Sequence, residues 1–257
     1  MEAGYRNLPP YYDRWQKSYG KDFSTLILPR LIASIRVHRI SGRTMVDVAC
    51  GTGTLALLMA RRGWEVFGVD ASEGMLAQAT EKLAGLSLPV ELFRQDMREL
   101  ALPRPVHMAT SFFDSLNHLM TAAELGAVFQ RVRESLLPGG WFIFDTSTER
   151  CFTTLWTKSE KFHDRDFSLV LDNTYDRAAR SAVYHVTLEV TGEGGSVTLD
   201  ETVRERFYTV DEVSALLVEA GFTVRECEDF NFTYNPAVGK LKTWWVAEAV
   251  GSRRSQA

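Results

Sequence analysis

Residues 46–57 read VDVACGTGTLAL. An apolar run ends at Ala49, the turn is Cys50-Gly51-Thr52-Gly53, and an amphipathic stretch follows at once, with Leu55, Leu58 and Met59 on one stripe that stops before Gly63. A strand, a glycine turn and a helix in direct succession bring backbone N–H groups and a helix N-terminus close to a ligand. That succession predicts an α/β architecture with a binding site at the turn.

Outward from this turn the alternation continues. Short apolar, β-branched runs at 44–49, 65–69, 90–93, 106–112 and 141–145 are separated by helical stretches, one of them carrying Met75, Leu76, Ala79 and Leu83 before Gly85. Strand and helix in turn imply a parallel sheet covered on both faces. After Thr148 the period changes: 167–175, 182–190 and 196–207 alternate apolar and polar residues, with Gly192-Glu193-Gly194-Gly195 between the last two. This predicts an inserted antiparallel segment with at least one hairpin. A helix over 210–220 and strands over 222–230 and 242–250 return the chain to the first sheet, and 11–40 reads as helices laid over its edge. The expected divisions are a lid (1–40), a core (41–150), an insertion (151–207), the rest of the core (208–250) and a tail (251–257).

Composition excludes several classes. With 257 residues and 45% hydrophobic content the chain can bury a large core, so disorder is not expected. A net charge of -4, with no Lys/Arg run longer than Arg253-Arg254, leaves no electrostatic footprint for nucleic acid or an anionic membrane. Three scattered cysteines (Cys50, Cys151, Cys227) without C-x-x-C spacing predict neither a disulfide framework nor a zinc site, and no metal is expected. No signal-like segment or long apolar run is present, and the expectation is a soluble, cytoplasmic protein; a homodimer is left open.

Gly51, Gly53 and Ala56 satisfy the G-x-G-x-x-G/A fingerprint, which does not by itself name the ligand. Three acids sharpen it. Asp47 sits inside the first strand, where it would repel a pyrophosphate but attract an ammonium; the plainer reading is an acid capping local N–H groups. Asp70 closes the second strand, placed to hold a ribose hydroxyl pair. Asp96 follows the third strand, placed to accept from an adenine amine, with the Met97 backbone against the ring.

These residues together resemble class I S-adenosylmethionine-dependent methyltransferases. DVACGTG is similar to their first motif, Asp70 to their ribose-binding acid, Gln95-Asp96-Met97 to their adenine-side motif, and Leu137-Pro138-Gly139-Gly140 to the turn before their fifth strand. The resemblance spans about 11–250. It implies a Rossmann-like doubly wound sheet of seven strands, mostly parallel with an antiparallel last strand, and S-adenosylmethionine as cofactor. It implies a donor site of Tyr19, Asp47, Ala49, Gly51, Gly53, Asp70, Ala71, Met75, Asp96, Met97, Phe112 and Phe113. TSFFDSLNHL (110–119) and YYDRWQKSYGKDF (11–23) resemble a bacterial small-molecule branch that includes sugar N-methyltransferases, which puts Tyr12 and His118 forward as catalytic. The insertion matches no substrate class, so the acceptor, nitrogen or oxygen of a small molecule, stays open.

Methyl transfer from a sulfonium needs positioning and desolvation more than acid–base machinery. His118 is suited to take a proton or orient the acceptor, or else serves as a hydrogen-bonded loop residue. Tyr12 is suited to face the sulfonium, or else anchors the N-terminal helix. Lys21 is near the same lid. Of Phe112 and Phe113, one is expected in the core and one at the donor; Trp244 and Trp245 are expected in the core, and Cys50 as packing. The competing readings are a nicotinamide-dependent oxidoreductase and a non-catalytic donor-binding module.

Overall fold

A computed structural model describes residues 5–18, 22–192, 195–231 and 239–250. Tyr19 and Lys21 lie outside the described residues. The chain runs α1 (Pro9–Ser18), α2 (Phe23–Val37), β1 (Thr44–Val48), α3 (Thr54–Ala60), β2 (Glu65–Asp70), α4 (Glu73–Leu83), β3 (Val90–Arg94), β4 (Val106–Ser111), α5 (Ala122–Ser135) and β5 (Leu136–Ser147). It continues through α6 (Glu149–Thr154), β6 (Glu160–His163), β7 (Phe167–Asp176), β8 (Ser181–Gly192), β9 (Gly195–Arg206), α7 (Val210–Glu219), β10 (Phe222–Phe230) and β11 (Lys242–Ala249).

The seven-stranded sheet has the order β10-β11-β5-β4-β1-β2-β3. Pairing is parallel except along β11, which is antiparallel to both neighbours, so the expected doubly wound sheet with an antiparallel last strand is the observed one. The middle strands are largely buried because helices cover both faces: Phe129, Phe142, Phe144 and Trp245 pack on one side, and Leu31, Met59, Trp64 and Trp244 on the other. Trp244 stacks on Phe112 at 5.1 Å and Trp245 on Phe144 at 5.7 Å, so both tryptophans are core residues.

The insertion forms a second, four-stranded antiparallel sheet, β6-β7-β8-β9. Its β8–β9 pairing runs from Ser181↔Arg206 to Gly192↔Gly195 in an unbroken register. Its apolar face is closed by the N-terminal segment, with Leu8, Tyr11, Tyr12 and Trp15 against Leu169, Leu188 and Val203. The carboxyl ends of β1 to β4 and this second sheet therefore share the N-terminal segment as a cover. Among the described residues no helix is long and apolar enough to cross a membrane.

Candidate active site

The glycine turn is built from left-handed backbone. Ala49 has φ 58°, Gly51 φ 54° and Gly53 φ 73°, which bend β1 into α3 within a few residues. The two glycines do different work. A Cβ on Gly51 would meet nothing within 4 Å, whereas one on Gly53 would lie 2.9 Å from Ala79 Cβ, so Gly53 permits α3 and α4 to approach. Cys50 is buried and burial pushes its thiol pKa well up, consistent with a packing residue.

A cavity of about 590 Å³ opens beside the turn. Tyr12, Asp47, Ala49, Gly51, Asp70, Ala71, Met75, Asp96, Met97, Phe112, Phe113 and His118 all line it. Gly53 is not among the lining residues. The three acids come from three successive strands, and each is held differently. Asp70 accepts from the backbone N–H of Gly51 and of Ser72, both at 2.8 Å, which fastens the glycine turn to the end of β2; burial still raises its pKa. Asp47 is 3% exposed, accepts from the Thr110 hydroxyl at 2.8 Å, and is pushed up to about 7 by burial. Asp96 is clasped by the Arg98 guanidinium, which with the Arg98 backbone N–H holds its pKa below the usual range. Such a rim suits cationic and hydrogen-bond-donating ligands and opposes a diphosphate.

Helices α1 and α4 are tied to the turn by polar contacts. The Thr52 hydroxyl donates to Asp13 Oδ1 at 2.6 Å, and Lys82 Nζ donates to Thr52 and Thr54 at 2.9 and 2.7 Å. Tyr12 is edge-on to Tyr5 at 5.8 Å and to Trp15 at 5.6 Å. Burial raises the Tyr12 hydroxyl pKa well above its ordinary value, so it remains a donor.

The far end of the cavity is set by a second left-handed turn, Phe113 (φ 61°) and Asp114 (φ 58°), after β4. Buried Asp145 accepts both of their N–H groups, at 2.8 and 3.0 Å, and Lys242 Nζ neutralises the site from β11. The next residues follow from that anchor. Asn117 accepts from Ser147 N and donates to Arg206 O, bridging the core to β9. His118 Nδ1 lies 3.1 Å from the Arg204 carbonyl, which can only accept, so Nδ1 carries the hydrogen and Nε2 the lone pair. Burial lowers the His118 pKa, leaving the ring neutral near pH 7.

Around His118, Tyr5 and Glu205 were not expected from the sequence. Tyr5 lines the cavity and meets the His118 ring edge-on at 5.8 Å; a lone aromatic in an irregular N-terminal segment carries no pattern. Glu205 lies 3.9 Å from His118 Nε2. Its signal was present, because along β9 it falls in phase with Leu199 and Val203, an acid at an inward position of an alternating strand.

Comparison with known proteins agrees with this geometry. A family model described as a methyltransferase domain matches residues 45–140. The chain is 32% identical over 217 residues to a protein of Geobacillus sp. (strain WCH70) named as a methyltransferase, covering 84% of this chain and 83% of the relative. It is 27% identical over 225 residues to the dTDP-3-amino-3,4,6-trideoxy-alpha-D-glucopyranose N,N-dimethyltransferase of Streptomyces venezuelae, covering 84% and 90% of the two chains. An S-adenosylmethionine-dependent methyltransferase of Clostridium acetobutylicum (ATCC 824) shares the fold with a TM-score of 0.80 at 20% identity, over 94% and 98% of the two chains. The chain belongs to the class I S-adenosylmethionine-dependent methyltransferases. The oxidoreductase and non-catalytic readings give way to that membership.

Proposed function

We propose that the protein methylates the nitrogen of a small amine, of the amino-sugar kind, with the donor lying along the ends of β1 to β4. The observation that carries the acceptor reading is the neutral His118, whose Nδ1–H is committed to Arg204 O at 3.1 Å and whose Nε2 is left as a base on a cavity-lining ring. The S. venezuelae relative, which acts on an amino sugar by name, supports the same choice.

The donor residues follow from their chemistry. Asp47 takes the methionine ammonium, Asp70 the ribose diol, and Asp96 with Met97 the adenine edge. Ala49, Gly51, Ala71 and Met75 shape the wall between them, while Phe112 and Phe113 close the reacting end. Open space at Gly51, acids on three strand ends and a cavity of about 590 Å³ fit an amino acid joined to a nucleoside. When bound, S-adenosylmethionine supplies a methyl group on a sulfonium, which is already a good leaving group. The face of Tyr12 attracts that cation, its hydroxyl donates toward the acceptor, and the N-terminal cover excludes water. Three unpaired cysteines support a reducing, cytoplasmic setting.

The test is a methyl-transfer assay with S-adenosylmethionine and dTDP-3-amino-3,4,6-trideoxy-α-D-glucopyranose, other primary amines, and matched hydroxyl compounds, read by mass spectrometry. Methylated amines alone are expected; transfer to hydroxyl compounds alone would overturn the nitrogen assignment. His118→Asn is expected to bind S-adenosylhomocysteine as the wild type does and to lose turnover by roughly a hundredfold.

A further inference from the structure

Glu205 is a carboxyl group that the fold does not need. It points from β9 into the apolar layer formed with Leu8, Tyr184 and Val203, and only 1% of it is exposed. Oε1 accepts from the Tyr184 hydroxyl at 3.1 Å, and the Tyr184 oxygen is 3.4 Å from that of Tyr5. Oε2 is buried without a hydrogen-bond partner. A carboxyl so placed destabilises the folded chain unless something offsets it, and an apolar residue would fill the position at lower cost. What it faces is His118 Nε2, at 3.9 Å. That distance is too long for a hydrogen bond and leaves the imidazole lone pair unshared.

We propose that Glu205 is a positioning residue for methyl transfer: from 3.9 Å beyond Nε2, on the side away from Arg204, it stabilises the imidazolium formed when the acceptor nitrogen releases a proton. This rests on the amine-methylating reading given above. An ammonium acceptor passes one proton to His118 Nε2, which exposes the nitrogen lone pair. That lone pair forms the new N–C bond as the S–C bond breaks, and the proton then leaves His118 for solvent. Once Glu205 has released its own proton to solvent, the carboxylate across 3.9 Å favours the charged ring during that interval.

The pair does not titrate alone. Tyr184 and Tyr5 face Glu205 from β8 and the N-terminal segment, Asp114 and Asp145 add negative charge from the turn after β4 and from β5, Lys242 adds positive charge from β11, and the Cys151 thiol approaches from α6. Burial and the two aspartates push the Glu205 pKa well up, and burial pushes that of His118 down, so the resting pair is neutral and holds its proton on the carboxyl. Ionisation of Glu205 is therefore a separate event that the His118 ring senses.

The deciding experiment is an NMR titration of the His118 Cε1 signal in the full chain, wild type against Glu205→Gln, beside turnover of the amino-sugar probe named above. Gln keeps the shape and still accepts from Tyr184, so the variant tests the charge. The wild-type signal is expected to show two inflections and the variant one; kcat is expected to fall by about tenfold or more with S-adenosylhomocysteine affinity unchanged. Superimposable titration curves, or a kcat equal to wild type in a protein that methylates the probe, would overturn the proposal. If no amine is methylated by the wild type while the two inflections persist and vanish in the variant, the amine reading fails and the Glu205–His118 pair stands.

Discussion

Asp13 on α1 lies 2.6 Å from the Lys82 ammonium on α4, and both bond the Thr52 hydroxyl between them. One carboxylate thus fastens the N-terminal cover to the glycine turn. The pair is partly exposed, Lys82 by 20% and Asp13 by 36%, so its contribution to global stability is expected to be small, about 0 to 1 kcal/mol. Its effect is local. Asp13→Ala is expected to speed amide hydrogen exchange along α1 and to hasten donor release while leaving the midpoint of thermal unfolding nearly in place. Unchanged exchange over 9–18, read by mass spectrometry, would show that apolar packing of Tyr11, Tyr12 and Trp15 alone holds the cover.

Asp70 accepts from the Gly51 and Ser72 N–H groups and, in the function proposed above, also holds the donor's ribose. Asp70→Ala is expected to weaken S-adenosylhomocysteine binding by about 1 to 3 kcal/mol, the range for hydrogen bonds to a charged group. Asp70→Asn retains one acceptor oxygen and should lose less. Isothermal titration separates them; equal affinity in a folded Asp70→Ala protein would remove Asp70 from the donor site.

The meeting of the three acids at one cavity was legible because they stand at strand ends, where chain order alone fixes their place. Asp47, Asp70 and Asp96 needed only the alternation of strands and helices to be brought to one rim. The strand limits were also close, and β1 stops one residue early because Ala49 turns left-handed. Pro138-Gly139-Gly140 reads as a turn, and Gly139 is indeed left-handed (φ 74°), but the sheet absorbs the bend as a bulge within β5, which begins at Leu136 and shifts register against β4 between Val106 and Met108. β6 and α6 escaped notice because four and six residues are too few to show a period. The cluster of Tyr5, His118, Tyr184 and Glu205 meets only when the insertion folds back, and no local pattern announces such a meeting.

Asp47 makes stability depend on pH in the direction opposite to a salt-bridged acid. Its pKa rises from 3.8 to about 7 in the folded chain, chiefly through burial. Between those values the folded state holds a proton that the unfolded state does not, so stability declines as pH rises through the window and the full penalty applies above 7. Asp47→Asn keeps the bond from Thr110 and removes the charge. It is expected to be more stable than wild type at pH 8, by up to about 4 kcal/mol, and to match it near pH 4. Donor binding should show the converse: S-adenosylhomocysteine affinity rises from pH 6 to 8 in the wild type, as the carboxylate forms to meet the ammonium, and stays level in the variant. Urea unfolding at both pH values checks the first statement, and calorimetry the second.

Lys242 tests whether the second left-handed turn is held by charge or by shape. Its ammonium is 2.7 Å from Asp114 Oδ2 and 3.6 Å from Asp145 Oδ1, and it donates to Ser147 at 3.1 Å, all in a site closed to solvent. Burial opposes its charge, yet the two aspartates more than offset this and raise its pKa. Lys242→Met preserves length and packing but leaves two buried carboxyl groups facing each other, which is expected to cost about 3 to 5 kcal/mol. The loss need not stop at stability. Asp145 is the acceptor for the N–H groups of Phe113 and Asp114, whose positive φ angles persist only while the surroundings impose them. A protonated Asp145 accepts more weakly, so the turn that places His118 should loosen as well. The double variant Lys242→Met with Asp114→Asn removes one of the stranded charges and is expected to recover part of the loss. A shift in the urea midpoint at constant slope, partly reversed in the double variant, is the expected pattern. Equal losses in the single and double variants would instead assign the damage to packing around Phe23 and Phe113, over whose rings the ammonium lies.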